Sequence, residues 1–164
     1  MKLHIGSGDR RLPDWINCDK DYELHQTGFA DVKLDASDLT TFGDNSIEEI
    51  YASHVLDHLS RKEELDKALS EWYRVLRPGG ILRVAVSNFE MVAKMYNEGL
   101  DLERLWGHIV GGHKSAYDKH GCVFDFALLK KYLDESVSIG EAQKKFSEKT
   151  GLCRKTFYNL KQKV

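Results

Sequence analysis

Three polar marks near the N-terminus could do chemistry: Gly6-Ser7-Gly8, Asp19 and Asp35. Each closes a short apolar run, Lys2-Leu3-His4-Ile5, Trp15-Ile16-Asn17-Cys18 and Val32-Lys33-Leu34 respectively. Glycines permit positive φ and let a ligand approach the backbone closely. A carboxylate after a second strand can accept both hydroxyls of a ribose, and one after a third can accept the exocyclic amine of an adenine. Together they outline a nucleoside-shaped site. The dinucleotide fingerprint G-x-G-x-x-G fails, because position 11 is Arg11 and Pro13 leaves little room for a helix N-terminus to meet a pyrophosphate. No Walker-type phosphate loop is present. Read alone, Gly6 and Gly8 also fit a simple tight turn, and Asp19 and Asp35 fit helix caps or solvated loop acids.

The elements that must position these residues follow from the spacing of apolar side chains. Ile47 to Ser53 reads as a fourth strand and Ile81 to Val86 as a fifth. Between them, Leu65, Ala68, Leu69, Trp72, Tyr73, Val75 and Leu76 recur at helical spacing over 61–76, and Pro78-Gly79-Gly80 stops that helix. A further helix is expected over 89–105, capped by Asn88, and another over 126–134. Only ten residues separate Ile5 from Ile16, so the first crossover has at most one helical turn. Strands alternating with helices imply a mostly parallel α/β sheet, which binds ligands at the carboxyl ends of its strands where their order reverses.

Composition narrows the class. The 164 residues are 41% hydrophobic and 30% charged with a formal net charge of -2, as in a globular domain rather than a disordered chain. No run approaches the ~18 apolar residues of a membrane span, and no signal-peptide pattern opens the sequence. Cys18, Cys122 and Cys153 are far apart without a Cys-x-x-Cys pair, so reduced thiols and a cytoplasmic location are expected. From Ser136 onward seven Lys or Arg face two Glu, a basic tail on an acidic body.

Five stretches, in order, resemble the small class I S-adenosylmethionine-dependent methyltransferases. They are Leu3 to Gly8, Leu12-Pro13-Asp14-Trp15-Ile16-Asn17-Cys18-Asp19, Asp44-Asn45-Ser46-Ile47, Tyr51-Ala52-Ser53-His54-Val55-Leu56-Asp57-His58-Leu59, and Trp72 to Leu82. The likeness extends to the aromatic-Asp-Phe segment in 121–133 and covers roughly residues 1–133. It implies a Rossmann-like methyltransferase fold, a five-stranded, largely parallel sheet of order 3-2-1-4-5. It also implies S-adenosylmethionine held by Ile5, Gly6, Ser7, Gly8, Asp19 and Asp35, with Ser53 and His54 bordering the sulfonium and the acceptor pocket. Methyl transfer needs donor and acceptor in near-attack geometry, and a base only where the acceptor must lose a proton.

Other features remain to be placed. His54 and His58 are four apart and could share a helix face toward a metal, but no third ligand is evident, so packing or capping roles and no metal are expected. The glycine- and histidine-rich stretch 107–121, with His108, His113 and His120, reads either as an acceptor lid, His113 and Tyr117 facing the substrate, or as a loop without function. Methyltransferases of this type usually finish the sheet with two more strands. Here residues 1–135 are expected to form the cofactor-binding domain, and 136–164 a basic helical C-terminal extension. That arrangement leaves the fifth strand as an edge, to be covered by a tail helix or by a second copy in a homodimer. The tail also resembles a helix-turn-helix. The alternative function is therefore a degenerate, non-catalytic module that binds cofactor or nucleic acid. No membrane partner is expected, and the sequence does not name the methyl acceptor.

Overall fold

The computed structural model describes residues 1–21, 30–61, 63–138, 144–149 and 155–162. Five parallel strands form the body of the sheet: β1 (Lys2–Ile5), β2 (Ile16–Asp19), β3 (Val32–Lys33), β4 (Ile47–Ser53) and β5 (Leu76–Ser87). Their order is β3-β2-β1-β4-β5, as the family resemblance implies. Leu3 lies opposite Ile16 on one side and Ile50 on the other, so the ends of β1, β2 and β4 come level. The order reverses between β1 and β4, which sets the ligand crevice there.

The β1–β2 connection contains no helix. A fully buried amide organises it instead. Asn17 Oδ1 accepts from the Leu12 N–H at 2.9 Å and lies 3.0 Å from His4 Nδ1, while Nδ2 donates to Leu12 O and Trp15 O. One side chain thereby satisfies backbone groups that a helix would otherwise have paired.

Helix α1 (Glu64–Val75) buries Leu65, Ala68, Leu69, Trp72 and Val75 of the expected stripe, while Tyr73 is half-buried and Leu76 opens β5. The Trp72 indole N–H donates to Ala36 O at 2.8 Å, tying the helix to the segment after β3. Pro78-Gly79-Gly80 lies within β5 rather than before it. Leu76 pairs with Ile47, the register then shifts, and Ile81 pairs with Glu49. A side chain at Gly80 would sit 2.8 Å from Arg77 O, so this bulge is reserved for glycine.

Two sequence expectations are corrected. The single helix over 89–105 is two, α2 (Phe89–Asn97) and α3 (Leu102–Val110). Gly99 at φ +92 ends the first, and Asp101 caps the second through the Glu103 N–H. Asn88 does cap α2, accepting from the Glu90 N–H at 3.0 Å.

The helical C-terminal extension is the second correction. After α4 (Phe126–Ser138) come two strands, β6 (Lys144–Lys149) and β7 (Lys155–Gln162). β7 runs antiparallel to β5 over Ile81 to Ser87, β6 runs antiparallel to β7, and the sheet has seven strands in the order β3-β2-β1-β4-β5-β7-β6. Local composition favours helix in this lysine-rich tail. The row of unpaired backbone groups along β5 demands a strand partner, and the β-prone Thr156-Phe157-Tyr158 supplies one. The fifth strand is therefore not an edge, and both expected helices of the helix-turn-helix reading are strands over their described residues. Its glycine turn and Cys153 lie outside the described residues.

Candidate functional site

A cavity of about 520 Å³ opens at the carboxyl ends of β1 to β4. Ile5 and Gly6 from β1, Asp19 from β2, Asp35 after β3 and His54 after β4 all line it. With strands ~4.8 Å apart, it spans roughly 14 Å from the Asp35 end to the His54 end.

Gly6 (φ +67) and Gly8 (φ +53) turn the chain sharply beneath the cavity. A Cβ on Gly6 would lie 2.4 Å from Val55 Cγ2, so the β1 turn packs directly on the segment after β4. Asp19 clamps that turn from the neighbouring strand. Its Oδ2 accepts from the Gly8 N–H at 2.7 Å and its Oδ1 from the Asp21 N–H at 2.8 Å. Each oxygen keeps a lone pair for a further donor. Asp35 receives the Ser37 N–H and hydroxyl on Oδ1 and the Lys20 ammonium on Oδ2 at 2.6 Å. Burial raises the Asp35 carboxyl, but Lys20 and the two Ser37 donors outweigh it and hold the group below the ordinary carboxylate range.

Segment 114–118 forms the far wall, held by Asp118, which accepts from the Gly112 and Lys114 N–H groups. Tyr117 lines the cavity and lies 5.2 Å beneath the Lys20 ammonium, a cation–π contact across the opening. His113 does not line the cavity. Its Nε2 points to Val110 O, at 3.0 Å, and its own backbone is left-handed at φ +55. Ser7 is buried under the turn and Ser53 ends β4, neither lining the cavity.

Beyond β4 the chain turns at His54 (φ +55), passes through a single 3-10 turn, Leu56–His58, and presents both His54 and His58 to the cavity. Among the described residues no group of three or more His, Cys, Asp or Glu side chains could hold a metal ion. Asp57 lies behind them at 1% exposure. Its Oδ2 accepts from the Ser87 N–H at 3.1 Å and lies 3.2 Å from His54 Nδ1. Burial alone would raise the Asp57 carboxyl. The His54 contact and the backbone donors reverse that, and the group stays ionised below the usual range. Asp57 escaped notice in the sequence. A His–Asp spacing of three residues just past a strand is the signal that could have found it.

Residues 14–84 match the methyltransferase domain family. The solved structures that superpose on this chain include a SAM-dependent methyltransferase from Archaeoglobus fulgidus, with a TM-score of 0.63, 16% identity, and coverage of 99% of this chain and 85% of that one. The chain has the Rossmann-like fold of these methyltransferases, and its stretch 14–84, under half of its length, is similar to their domain family. A second such structure, described as a possible histamine N-methyltransferase from Thermotoga maritima, gives a TM-score of 0.62 at 17% identity over 98% of this chain and 80% of that one. A probable methyltransferase of Aspergillus luteorubrus is 35% identical over 68 residues, 41% of this chain. The match spans 23% of that fungal protein's length. Among the described residues no helix is long and apolar enough to cross a membrane.

Proposed function

We propose that this methyltransferase domain binds S-adenosylmethionine in the cavity at the ends of β1 to β4 and transfers its methyl group to an acceptor beside His54. The observation that carries the reading is the convergence of two carboxylates, Asp19 and Asp35, with the Gly6 turn in one cavity at the reversal of strand order. The donor set fits the cofactor. Asp19 keeps lone pairs for the ribose hydroxyls, Leu34 and Ala36 offer an apolar surface to the adenine, and Gly6 leaves room above the backbone. Asp35 lies where an exocyclic amine would meet it, its Oδ2 shared with Lys20. Bound there, the cofactor supplies an electrophilic methyl on a cationic sulfur. The protein's part is to hold that methyl and the acceptor in line and to keep water away.

Calorimetric titration with S-adenosylhomocysteine tests the reading. The expected result is saturable binding at one site, with a rise in melting temperature that follows ligand concentration. A folded protein that takes up no S-adenosylhomocysteine would refute it.

A further inference from the structure

The cavity has a polarity that the strand order imposes. The nucleoside-binding carboxylates stand at the ends of β2 and β3, so the sulfur of an extended ligand falls on the other side of Gly6, toward β4 and His54. This step rests on the functional reading above. At that end stands a histidine backed by a buried carboxylate. His54 Nδ1 is 3.2 Å from Asp57 Oδ2, leaving Nε2 as the ring nitrogen available to the cavity.

Asp57 is more than a backbone clamp. Accepting the Ser87 N–H requires only a carbonyl oxygen, which asparagine would supply without burying a charge. Asp57 instead carries a second oxygen, Oδ1, that is buried with no hydrogen-bond partner among the described residues. A buried, half-satisfied carboxylate is costly unless its charge has a use. The ring its Oδ2 meets at hydrogen-bond distance is His54, and a carboxylate on Nδ1 both fixes the tautomer with a bare Nε2 and stabilises the imidazolium formed when Nε2 takes a proton. His58, the other cavity histidine, has only the Lys119 carbonyl behind its Nδ1, at 3.2 Å.

We infer that His54 is the general base of the transfer, that Asp57 is its positioning residue, and that the acceptor enters with its proton on, as a hydroxyl or an ammonium. His54 Nε2 takes the acceptor's proton, the lone pair on the acceptor atom forms the new bond to the methyl carbon, and the carbon–sulfur bond breaks with its electrons left on sulfur. The proton then passes from Nε2 to solvent. An acceptor that arrives as an anion would leave the dyad without work.

The test needs no acceptor. S-Adenosylmethionine and S-adenosylhomocysteine differ by a methyl group and a positive charge. An imidazole beside that charge therefore makes their affinity ratio depend on pH. Asp57, His58 and His120 surround His54, with Glu64, Lys114 and Asp118 on the cavity wall. His58→Asn and His120→Asn are the controls. His54→Asn is the informative variant, because asparagine tolerates the left-handed backbone at this position. By calorimetry, the preference for S-adenosylmethionine should grow about tenfold from pH 5.5 to 8 in the parent. It should vanish in His54→Asn, survive in both controls, and centre at lower pH in Asp57→Asn. Nitrogen-15 spectra of histidine-labelled protein should show His54 protonated on Nδ1 and bare on Nε2. Binding of both ligands with a flat ratio, a rise that survives His54→Asn, or a proton on Nε2 of the neutral ring overturns the base assignment alone. Failure of both ligands to bind overturns the cofactor reading, and this one with it.

Discussion

Asp19→Asn separates two duties that one side chain performs. In the structure its two oxygens receive the Gly8 N–H at 2.7 Å and the Asp21 N–H at 2.8 Å, both short and charge-assisted. An amide keeps the shape but turns one acceptor into a donor that faces another N–H. An unpaired, largely buried donor costs about 1–3 kcal/mol. For a domain of this size each kcal/mol lowers the melting temperature by roughly 2–4 °C, so a fall of about 2–12 °C is expected. The second duty is to the ligand. Hydrogen bonds to a charged acceptor are worth about 1.5–3 kcal/mol, which is roughly a ten- to hundredfold loss of S-adenosylhomocysteine affinity. Calorimetry and thermal unfolding of the same preparation measure both effects. A lower melting temperature with unchanged affinity would make Asp19 a loop clamp and refute the ribose assignment. Weakened binding at parental stability would refute the clamp.

Gly6→Ala should destabilise the fold by about 2–4 kcal/mol, because it combines a left-handed backbone with a methyl 2.4 Å from Val55 Cγ2; a parental urea midpoint would contradict that packing. Trp72→Phe removes the indole donor to Ala36 O and should cost about 1–2 kcal/mol, with an unchanged urea m-value. His4 is held below its ordinary value of 6.5 mainly by burial, against the opposing pull of Asn17 and Asp19. As pH falls through 6.5 the unfolded chain takes up a proton that folded His4 refuses, so stability should decline from pH 7 toward 5.5, and less steeply in His4→Gln. Burial, with Asp31 and Asp19 nearby, pushes the Cys18 thiol up to about 12. A thiol reagent at pH 8 should therefore modify Cys18 only after denaturation, and prompt labelling of the native protein would contradict its burial.

The parallel half of the sheet was legible because buried parallel strands are apolar runs with polar stops, and β1, β2 and β4 fit that pattern. The α1 stripe and the Asn88 cap were legible for a similar reason, since both depend on neighbours three or four residues away. The break at Gly99 was within reach, for an isolated glycine inside a helical pattern marks an end when a capping residue such as Asp101 follows. Strands β6 and β7 were not legible. The lysine-rich composition around them favours helix, the β-prone Thr156-Phe157-Tyr158 is a short run within it, and only β5, some seventy residues upstream of β7, supplies the unpaired edge that makes them strands.

The amino-acid sequence by itself determined the inventory and order of these residues: a glycine turn, then Asp19, Asp35 and His54, each at or just past a strand end. Strand ends converge once the order is known, so those four meet in one cavity. Tertiary structure decided which nearby residues join them. Tyr117 faces the cavity while His113, four residues earlier, turns back to Val110, because Asp118 gathers the Gly112 and Lys114 N–H groups and sets the loop's direction. Asp57 reaches His54 and Ser87 at once only because β5 lies beside β4. Side-chain direction in irregular backbone is set by hydrogen bonds between residues far apart in the chain, and local spacing carries no record of them.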